Sequence, residues 1–180
     1  PAGADAASVP VKAAHDVGVK VVALDRNPPD EPADTFVATD SVAAAKELGD
    51  WVVDKTGGEG KVAILQGQIG TTPELDRDEG FTQALQAAPG LEVVAKQSAN
   101  WAQDKAYDVA TDMLQVNPDI SVFFGRADAM ALGAAQAVKS ANIDPRPVIV
   151  GFDGDFAGIE AVKAGELDAP MVQQPPEMGR

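Results

Sequence analysis

Seven residues with side chains suited to binding a small polar molecule follow short apolar segments of the sequence: Asp25, Arg26, Arg77, Trp101, Arg126, Asp153 and Gln173. A carboxylate accepts hydrogen bonds, a guanidinium donates them in a rigid fork, and an amide does both. An indole adds a flat apolar face on which a ring lined with C–H bonds can pack. This combination predicts a binding site for a molecule that carries many hydroxyl groups, such as a sugar or a polyol.

The same set of residues does not suit catalysis. It contains no nucleophile with a neighbouring base, and no serine of the chain lies in a G-x-S-x-G pattern. A carbohydrate-active enzyme would need two carboxyl groups as acid and base. Asp25 and Asp153 are the candidates, but both are expected to face arginine and hydroxyl partners. We therefore predict that the chain is not an enzyme and needs no cofactor.

Three of the seven residues also have a purely structural interpretation. Asp153 could cap the helix that starts near Asp155, Trp101 could fill the top of the core, and Arg77 could form a surface ion pair of little energetic value. These alternatives stay open for each residue taken singly. Since ligands of open α/β sheets bind at the carboxyl ends of the strands, the shared position of the residues favours one common site.

Short apolar stretches and helical patterns alternate along the chain. The strand candidates are residues 19–24, 61–65, 91–95, 121–124, 148–152 and 169–172. The helix candidates are residues 4–17, 42–55, 73–88, 103–116, 127–141 and 156–164. Strands without polar alternation are typical of buried parallel strands. Strict alternation of strand and helix predicts an α/β fold with a doubly wound parallel sheet.

One segment breaks this alternation. Three prolines lie within residues 27–32, and the segment 36–39 follows them. Prolines at this density predict a surface loop. We expect the residues after the loop to cross in extended form towards a second domain that begins near Asp40, and Asp40 with Ser41 suits the cap of the next helix.

Charge and composition exclude several classes of protein. The net charge of −14 argues against nucleic acid as a partner of this segment, because phosphate contacts rely on clustered Lys and Arg. The absence of cysteine excludes disulfides and thiolate metal sites. No apolar run approaches the roughly 20 residues of a membrane span. The first residues already suit a helix and carry no signal segment, so we expect that Pro1 is not the native start.

Three further patterns favour a structural interpretation over a chemical one. His15, the only histidine, is expected to be a half-exposed helix residue. Residues 57–62, GGEGKV, lack the spacing of a phosphate-binding loop and precede a strand, so they predict a helix end and a turn. The acids Asp76, Asp78 and Glu79 lack the alternate spacing of a calcium loop and predict a solvated helix start, so we expect no metal site.

Residues 66–81, QGQIGTTPELDRDEGF, lead from the end of a strand through Gly67 and Gly70 into a helix that carries Arg77. This segment resembles the signature of periplasmic sugar-binding proteins of the ribose-binding type, in which the arginine grips sugar hydroxyls. The later segments NPDISVFFGRADAMALGAAQAVKSA, VIVGFDG and GELDAPMVQQPPEMG resemble further landmarks of that family in the same order. The resemblance covers nearly the whole chain.

The resemblance implies a type I periplasmic binding protein fold, with a ligand cleft between two α/β subdomains joined by three crossing strands. Residues 1–39 would belong to the amino-terminal subdomain and contribute Asp25 and Arg26. Residues 40–173 would form the carboxyl-terminal subdomain and contribute Arg77, Trp101, Asp153 and Gln173. Residues 174–180 would begin the crossing back.

One position departs from the family pattern. The family usually has an asparagine where this chain has Ala127, and Arg126 beside it is the candidate substitute. The missing amide argues against ribose itself as the ligand.

The resemblance also implies a function. A solute-binding protein of this type captures a monosaccharide or polyol, closes on it by hinge motion and delivers it to the membrane permease of an ABC importer. The implied location is periplasmic or extracellular, with a lipid anchor to the cell membrane as one form, and the implied intact protein is a monomer. The alternative is the effector domain of a LacI-type transcriptional regulator. Such domains usually carry an acidic residue at the position of Gly154 and follow a DNA-binding headpiece.

Overall fold

Parallel strands form two separate sheets in the computed structural model, which describes residues 6–178 apart from the side chains of residues 176 and 178. The first sheet pairs β1 (Val22–Leu24) with β2 (Thr35–Val37). The second contains β3 (Glu59–Gln66), β4 (Gly90–Ser98), β5 (Val122–Gly125), β6 (Val148–Asp153) and β7 (Ala169–Val172). Its strand order is β4-β3-β5-β6-β7, and all neighbouring pairs are parallel.

Helices follow the strands of the larger sheet. In chain order the helices are α1 (Ser8–Asp16), α2 (Ser41–Thr56), α3 (Thr72–Gln86), α4 (Gln103–Val116), α5 (Asp128–Ser140), α6 (Phe156–Lys163) and α7 (Pro175–Met178). The predicted α/β class with a parallel sheet is confirmed. The observed bounds lie within a few residues of the predicted ones, and residues 4 and 5 of the first predicted helix lie outside the described part of the chain.

The central strands of the larger sheet, β3, β5 and β6, are buried on both faces for most of their length, which explains why they are apolar without alternation. One face packs on α2 and α3 through a layer that includes Leu48, Val62, Ile64, Phe81 and Phe124. The opposite face packs on α4, α5 and α6 through a layer that includes Leu65, Met113, Phe123, Met130 and Ala161. The sheet is therefore doubly wound, and its two edges and strand ends are the only places where polar side chains can gather around it.

Close packing of α2 on α3 depends on glycine. A Cβ atom on Gly80 would lie 2.1 Å from the carbonyl oxygen of Val42, and one on Gly49 would lie 2.5 Å from Cβ of Ala84. Phe81, the next residue of α3, stacks on Phe124 of β5 with ring centroids 4.2 Å apart. These contacts fix α3, and with it Arg77, relative to the sheet.

The segment after the proline-rich loop begins in the extended form that the sequence predicts. Thr35–Val37 form β2, which pairs with β1 and so satisfies backbone groups of both strands. The helix cap at Asp40 is confirmed, since its carboxylate accepts a hydrogen bond of 3.0 Å from the backbone N–H of Ala43.

His15 ties the proline-rich loop to α1. Its Nδ1 lies 2.9 Å from Oε1 of Glu31, and its Nε2 lies 3.1 Å from Oδ2 of Asp34. Two carboxylates can both accept only if both ring nitrogens carry hydrogen, which is the imidazolium form. Accordingly, the hydrogen bond to Glu31, together with Asp34, raises the pKa of His15. The cluster therefore holds the segment that follows β1 against α1.

We predict that His15 makes stability depend on pH. A folded pKa above the unfolded value means that this contribution is complete below about pH 6.5 and is lost as pH rises through the folded pKa. The melting temperature of His15→Gln should therefore fall further below that of wild type at pH 6 than at pH 9. Thermal unfolding followed by circular dichroism at both pH values checks this, and an equal difference at the two values would contradict it.

Candidate functional site

A cavity of about 330 Å³ opens at the carboxyl end of the larger sheet. It is lined by six of the seven predicted residues and by four others, namely Asp25, Arg26, Pro73, Arg77, Trp101, Ala127, Ala129, Asp153, Asp155 and Gln173. These residues come from the segments after β1, β3, β4, β5, β6 and β7. The convergence that the sequence predicts for these six residues is therefore present in the structure.

The strand order explains why a cavity forms at this place. The chain leaves β3 for α3 on one face of the sheet, and leaves the adjacent β5 for α5 on the other face. Loops that depart in opposite directions from neighbouring strands leave a crevice between them, the position at which open α/β sheets bind ligands.

Arg77 is the buried centre of the site. Its side chain is 4% exposed, and Nη2 lies 3.0 Å from Oδ1 of Asp153. Nη1 donates to the carbonyl oxygen of Arg126, and the guanidinium carbon lies 3.9 Å from the centroid of the Phe152 ring. Burial lowers the pKa of Arg77 and Asp153 counteracts that effect. Arg77 is not a surface ion-pair partner, so that alternative is wrong.

Asp153 links Arg77 to Gln173. Burial raises the pKa of Asp153, and the charge of Arg77 opposes the rise. Nε2 of Gln173 donates to Oδ1 of Asp153 at 2.5 Å, while Oε1 of Gln173 accepts from the hydroxyl of Thr39 at 2.9 Å. Both ends of the amide are thus held, so its orientation is set. Asp153 is not the cap of α6, because the carboxylate of Asp155 accepts from the backbone N–H of Gly158.

Trp101 lines the cavity and also packs against the core layer under α4 and α5, so both interpretations of this residue hold. Its ring lies so close to Gly67 that a Cβ atom there would stand 2.1 Å from the indole. The guanidinium carbons of Arg26 and Arg77 lie 5.5 Å and 5.6 Å from the ring centroid, within the range of cation–π attraction. The ring therefore belongs to the same constellation as both arginines.

Three cavity residues hold backbone conformations that non-glycine residues rarely adopt. The φ angles are +68° at Asp25, +66° at Trp101 and +118° at Asp153. Such conformations cost free energy and persist only where the surrounding structure imposes them, and they cluster at functional sites. Their coincidence around one cavity is an observation independent of residue type.

Asp25 and Arg26 reach the cavity from the smaller sheet. The backbone N–H of Asp25 donates to the carbonyl oxygen of Val37 at 3.0 Å, which holds the end of β1 against β2. Nε of Arg26 lies 3.5 Å from Oδ2 of Asp25. Each guanidinium that lines the cavity therefore has a carboxylate beside it.

Arg126 does not line the cavity, contrary to its predicted role. Its side chain is fully buried, and its guanidinium donates to the carboxylates of Glu74 and Asp78 and to the carbonyl oxygen of Glu74. The reason is the buried carboxylate of Glu74 on α3, which needs a cation beside it. The sequence gives no direct signal for this pair, because Glu74 and Arg126 lie 52 positions apart.

Sequence reasoning also missed Asp128, the first residue of α5. It is completely buried, and its Oδ2 accepts a hydrogen bond of 2.8 Å from the backbone N–H of Asp155. Burial raises the pKa of Asp128 to about 7. Gly151 and Gly158 pack against the carboxyl group at distances that leave no room for a Cβ atom. Asp128 therefore holds the turn that follows Asp153.

A larger cavity of about 580 Å³ runs along α5 and is lined by none of the predicted residues. Its cations are already paired, Lys139 with Glu166 at 3.7 Å and Arg146 with Asp168 at 2.9 Å. Within residues 6–178, no group of acidic or histidine side chains could hold a metal ion, and no helix is long and apolar enough to cross a membrane. The cavity at the strand ends is the candidate site.

We predict that the titration of Asp128 makes the free energy of unfolding fall as pH rises. Since its folded pKa of about 7 lies above the unfolded value of 3.8, the folded protein holds a proton that the unfolded chain has released between about pH 4 and pH 7. Asn does not titrate, so the free energy of unfolding of Asp128→Asn, relative to that of wild type, should be higher at pH 8 than at pH 5. The gain should be on the order of 1–4 kcal/mol, because one pKa unit corresponds to about 1.4 kcal/mol.

Urea unfolding at pH 5 and pH 8 measures this gain, and the exposed Asp112→Asn on α4 serves as the control. A difference between Asp128→Asn and wild type that does not change with pH would show that Asp128 is not protonated in the folded protein.

Comparison with known proteins shows the family of the chain. The family model for the periplasmic binding protein domain matches residues 1–180. The ribose import binding protein of Haemophilus influenzae is 36% identical over 179 residues, which are 99% of this chain and 60% of that protein. The chain thus spans about 60% of the length of this curated relative.

Solved structures show the same fold. An ABC transporter periplasmic solute binding protein of Actinobacillus succinogenes with bound D-allose has a TM-score of 0.88 at 28% identity, over 99% of this chain and 66% of that one. The Caulobacter myo-inositol binding protein bound to myo-inositol has a TM-score of 0.91 at 28% identity, over 99% of this chain and 62% of that one. The resemblance read from the sequence is confirmed, and the chain belongs to the periplasmic binding protein domain family, in the ribose-binding type.

Proposed function

We propose that the protein binds a neutral monosaccharide or polyol at the cavity formed by Arg77, Trp101, Asp153 and Gln173. The observation that carries this proposal is the convergence of donors, acceptors and an aromatic face at one crevice between β3 and β5. Arginine donates, aspartate accepts and glutamine does both, which matches hydroxyl groups that themselves donate and accept. A sugar ring has C–H faces that can pack on the indole.

The charges of the cavity support a neutral ligand. Three carboxylates and two guanidiniums line it, and each guanidinium lies beside a carboxylate, Arg77 at 3.0 Å from Asp153 and Arg26 at 3.5 Å from Asp25. Among the described lining residues, no cation is left to pair with an anionic ligand. A phosphorylated or acidic sugar would therefore bring an uncompensated negative charge into a partly buried site.

The relatives support the same ligand class. The proteins to which the chain is similar carry names that refer to ribose, D-allose and myo-inositol, all of them neutral and rich in hydroxyl groups. We infer that this chain shares the ligand class, with Ala127 in the cavity wall favouring a ligand other than ribose.

We further propose how the site is used. The segment 1–39 would belong to an amino-terminal subdomain, residues 40–173 to the carboxyl-terminal one, and residues 174–180 to a crossing back. A cleft between the subdomains would close on the sugar by hinge motion, and the closed form would deliver it to the permease of an ABC importer. Such a protein would work as a monomer in the periplasm or outside the cell, with or without a lipid anchor, and without enzymatic activity.

We predict that Asp153→Asn weakens sugar binding in the longest natural protein that contains this sequence. A thermal-shift screen of neutral pentoses, hexoses and polyols first identifies the ligand. A sugar present at 100 times its dissociation constant should add about 2.7 kcal/mol of stability. Isothermal titration should then show at least a roughly tenfold loss of affinity in Asp153→Asn, because hydrogen bonds to charged groups contribute about 1.5–3 kcal/mol.

Arg146→Ala is the matched control, since it removes an arginine from an ion pair that lies outside the cavity. Its affinity should equal that of wild type. Wild-type affinity in Asp153→Asn would refute the site. Absence of any neutral ligand, together with specific binding to DNA, would favour the LacI-type alternative instead.

A further inference from the structure

We propose that Glu74 and Arg126 form a buried positioning pair that sets the location of Trp101 and Arg77 in the cavity. Neither side chain lines the cavity, so neither is offered as a ligand contact. The proposal rests on the proposed function in so far as it concerns ligand affinity, but its structural half can be measured without any ligand.

The pair joins three elements beneath the cavity. The Arg126 side chain, which is fully buried at the end of β5, donates to the carboxylate of Glu74, which is 2% exposed on α3. The carboxylate of Glu74 also accepts from the backbone N–H of Gly67 at 2.8 Å and from Nε2 of Gln66 at 2.9 Å. One carboxylate thus binds the ends of β3 and β5 to the first turn of α3.

Glu74 reaches Trp101 through Gly67. The peptide group before Gly67 is held by Glu74 through its N–H, and the carbonyl oxygen of Gly67 accepts a hydrogen bond of 2.6 Å from the hydroxyl of Ser98. The indole of Trp101 rests against this glycine so closely that a Cβ atom there would lie 2.1 Å from it. The position of Gly67 therefore limits how closely the indole of Trp101 can approach the end of β3.

Arg126 reaches Arg77 through its backbone. Nη1 of Arg77 donates to the carbonyl oxygen of Arg126. The side chain of the same Arg126 donates to Glu74 and Asp78, one turn before and one residue after Arg77 on α3. The buried cation thus fastens both the helix that carries Arg77 and the acceptor that Arg77 uses.

The network of Glu74 and Arg126 extends to a partly exposed ion pair. Asp78 also accepts from Nζ of Lys96 on β4 at 2.5 Å, and Asp78 and Lys96 are 33% and 36% exposed. Two acids and two cations balance one another in this group. Since apolar residues of similar volume often replace a buried ion pair without loss of stability, stability alone does not account for the pair. The proposal accounts for the pair by its control of the positions of Trp101 and Arg77.

The experiment follows the environment of Trp101 in the absence of ligand. Trp51 is the only other tryptophan, so Trp51→Phe leaves Trp101 as the single fluorophore. In that background, Glu74→Gln removes the charge that Arg126 needs while keeping the side-chain shape. We expect a shifted emission maximum and faster acrylamide quenching of Trp101, together with at least a roughly tenfold loss of affinity for the sugar that the Trp51→Phe parent binds.

A second variant guards against a failure to fold. Glu74→Leu combined with Arg126→Met removes both charges together, so no unpaired buried cation remains and this variant should melt above Glu74→Gln. The N–H of Gly67 loses its acceptor, so the Trp101 signal should still be altered. Arg146→Ala in the same background should match the parent in every measurement. Parent-like emission, quenching and affinity in either folded variant would overturn the proposal. If the parent binds no sugar, the proposed function fails, while the quenching measurement still decides whether the pair positions Trp101.

Discussion

A guanidinium that is buried at the rim of a sheet cannot stand alone, and this constraint organises the site. Arg77 is 4% exposed, and an isolated charge taken out of water costs far more than one side chain's packing returns. The structure compensates it from two directions, by the carboxylate of Asp153 at the end of β6 and by the carbonyl oxygen of Arg126 at the end of β5. Satisfying one buried cation therefore fixes α3 relative to the ends of two strands, β5 and β6.

The same arrangement orders the polar atoms that line the cavity. Gln173 is held by Asp153 on one side and by Thr39 on the other, so the orientation of its amide is set in the absence of a ligand. Asp153 remains 34% exposed, which leaves part of its carboxylate available to a hydroxyl group. Side chains that are ordered before the ligand arrives lose less conformational entropy when it binds, and this raises affinity without any added contact.

Much of the fold could be predicted from the sequence because its signals are local. Strands buried on both faces must be apolar throughout, and helices between them must carry one apolar stripe, so periodicity alone predicts the α/β class. The carboxyl ends of parallel strands share one edge, which places Arg77, Trp101, Asp153 and Gln173 together without knowledge of a single contact. Asp40 could be predicted as a cap from its residue type.

The parts that could not be predicted depend on tertiary contacts. Arg126 directly precedes Ala127, which lines the cavity. Its side chain nevertheless binds the buried carboxylate of Glu74, 52 positions away, and does not line the cavity. The sequence does not show that Asp128 is buried with a raised pKa, because its burial arises from packing against Gly151 and Gly158. In each case the deciding partner is distant along the chain.

A crystal structure of the longest natural form of the protein with its neutral sugar is the most direct measurement. We predict that ring hydroxyls lie within hydrogen-bond distance of Arg77, Asp153 and Gln173, and that one C–H face of the ring packs on the indole of Trp101. A sugar bound elsewhere, or held in this cavity by none of these side chains, would contradict the account.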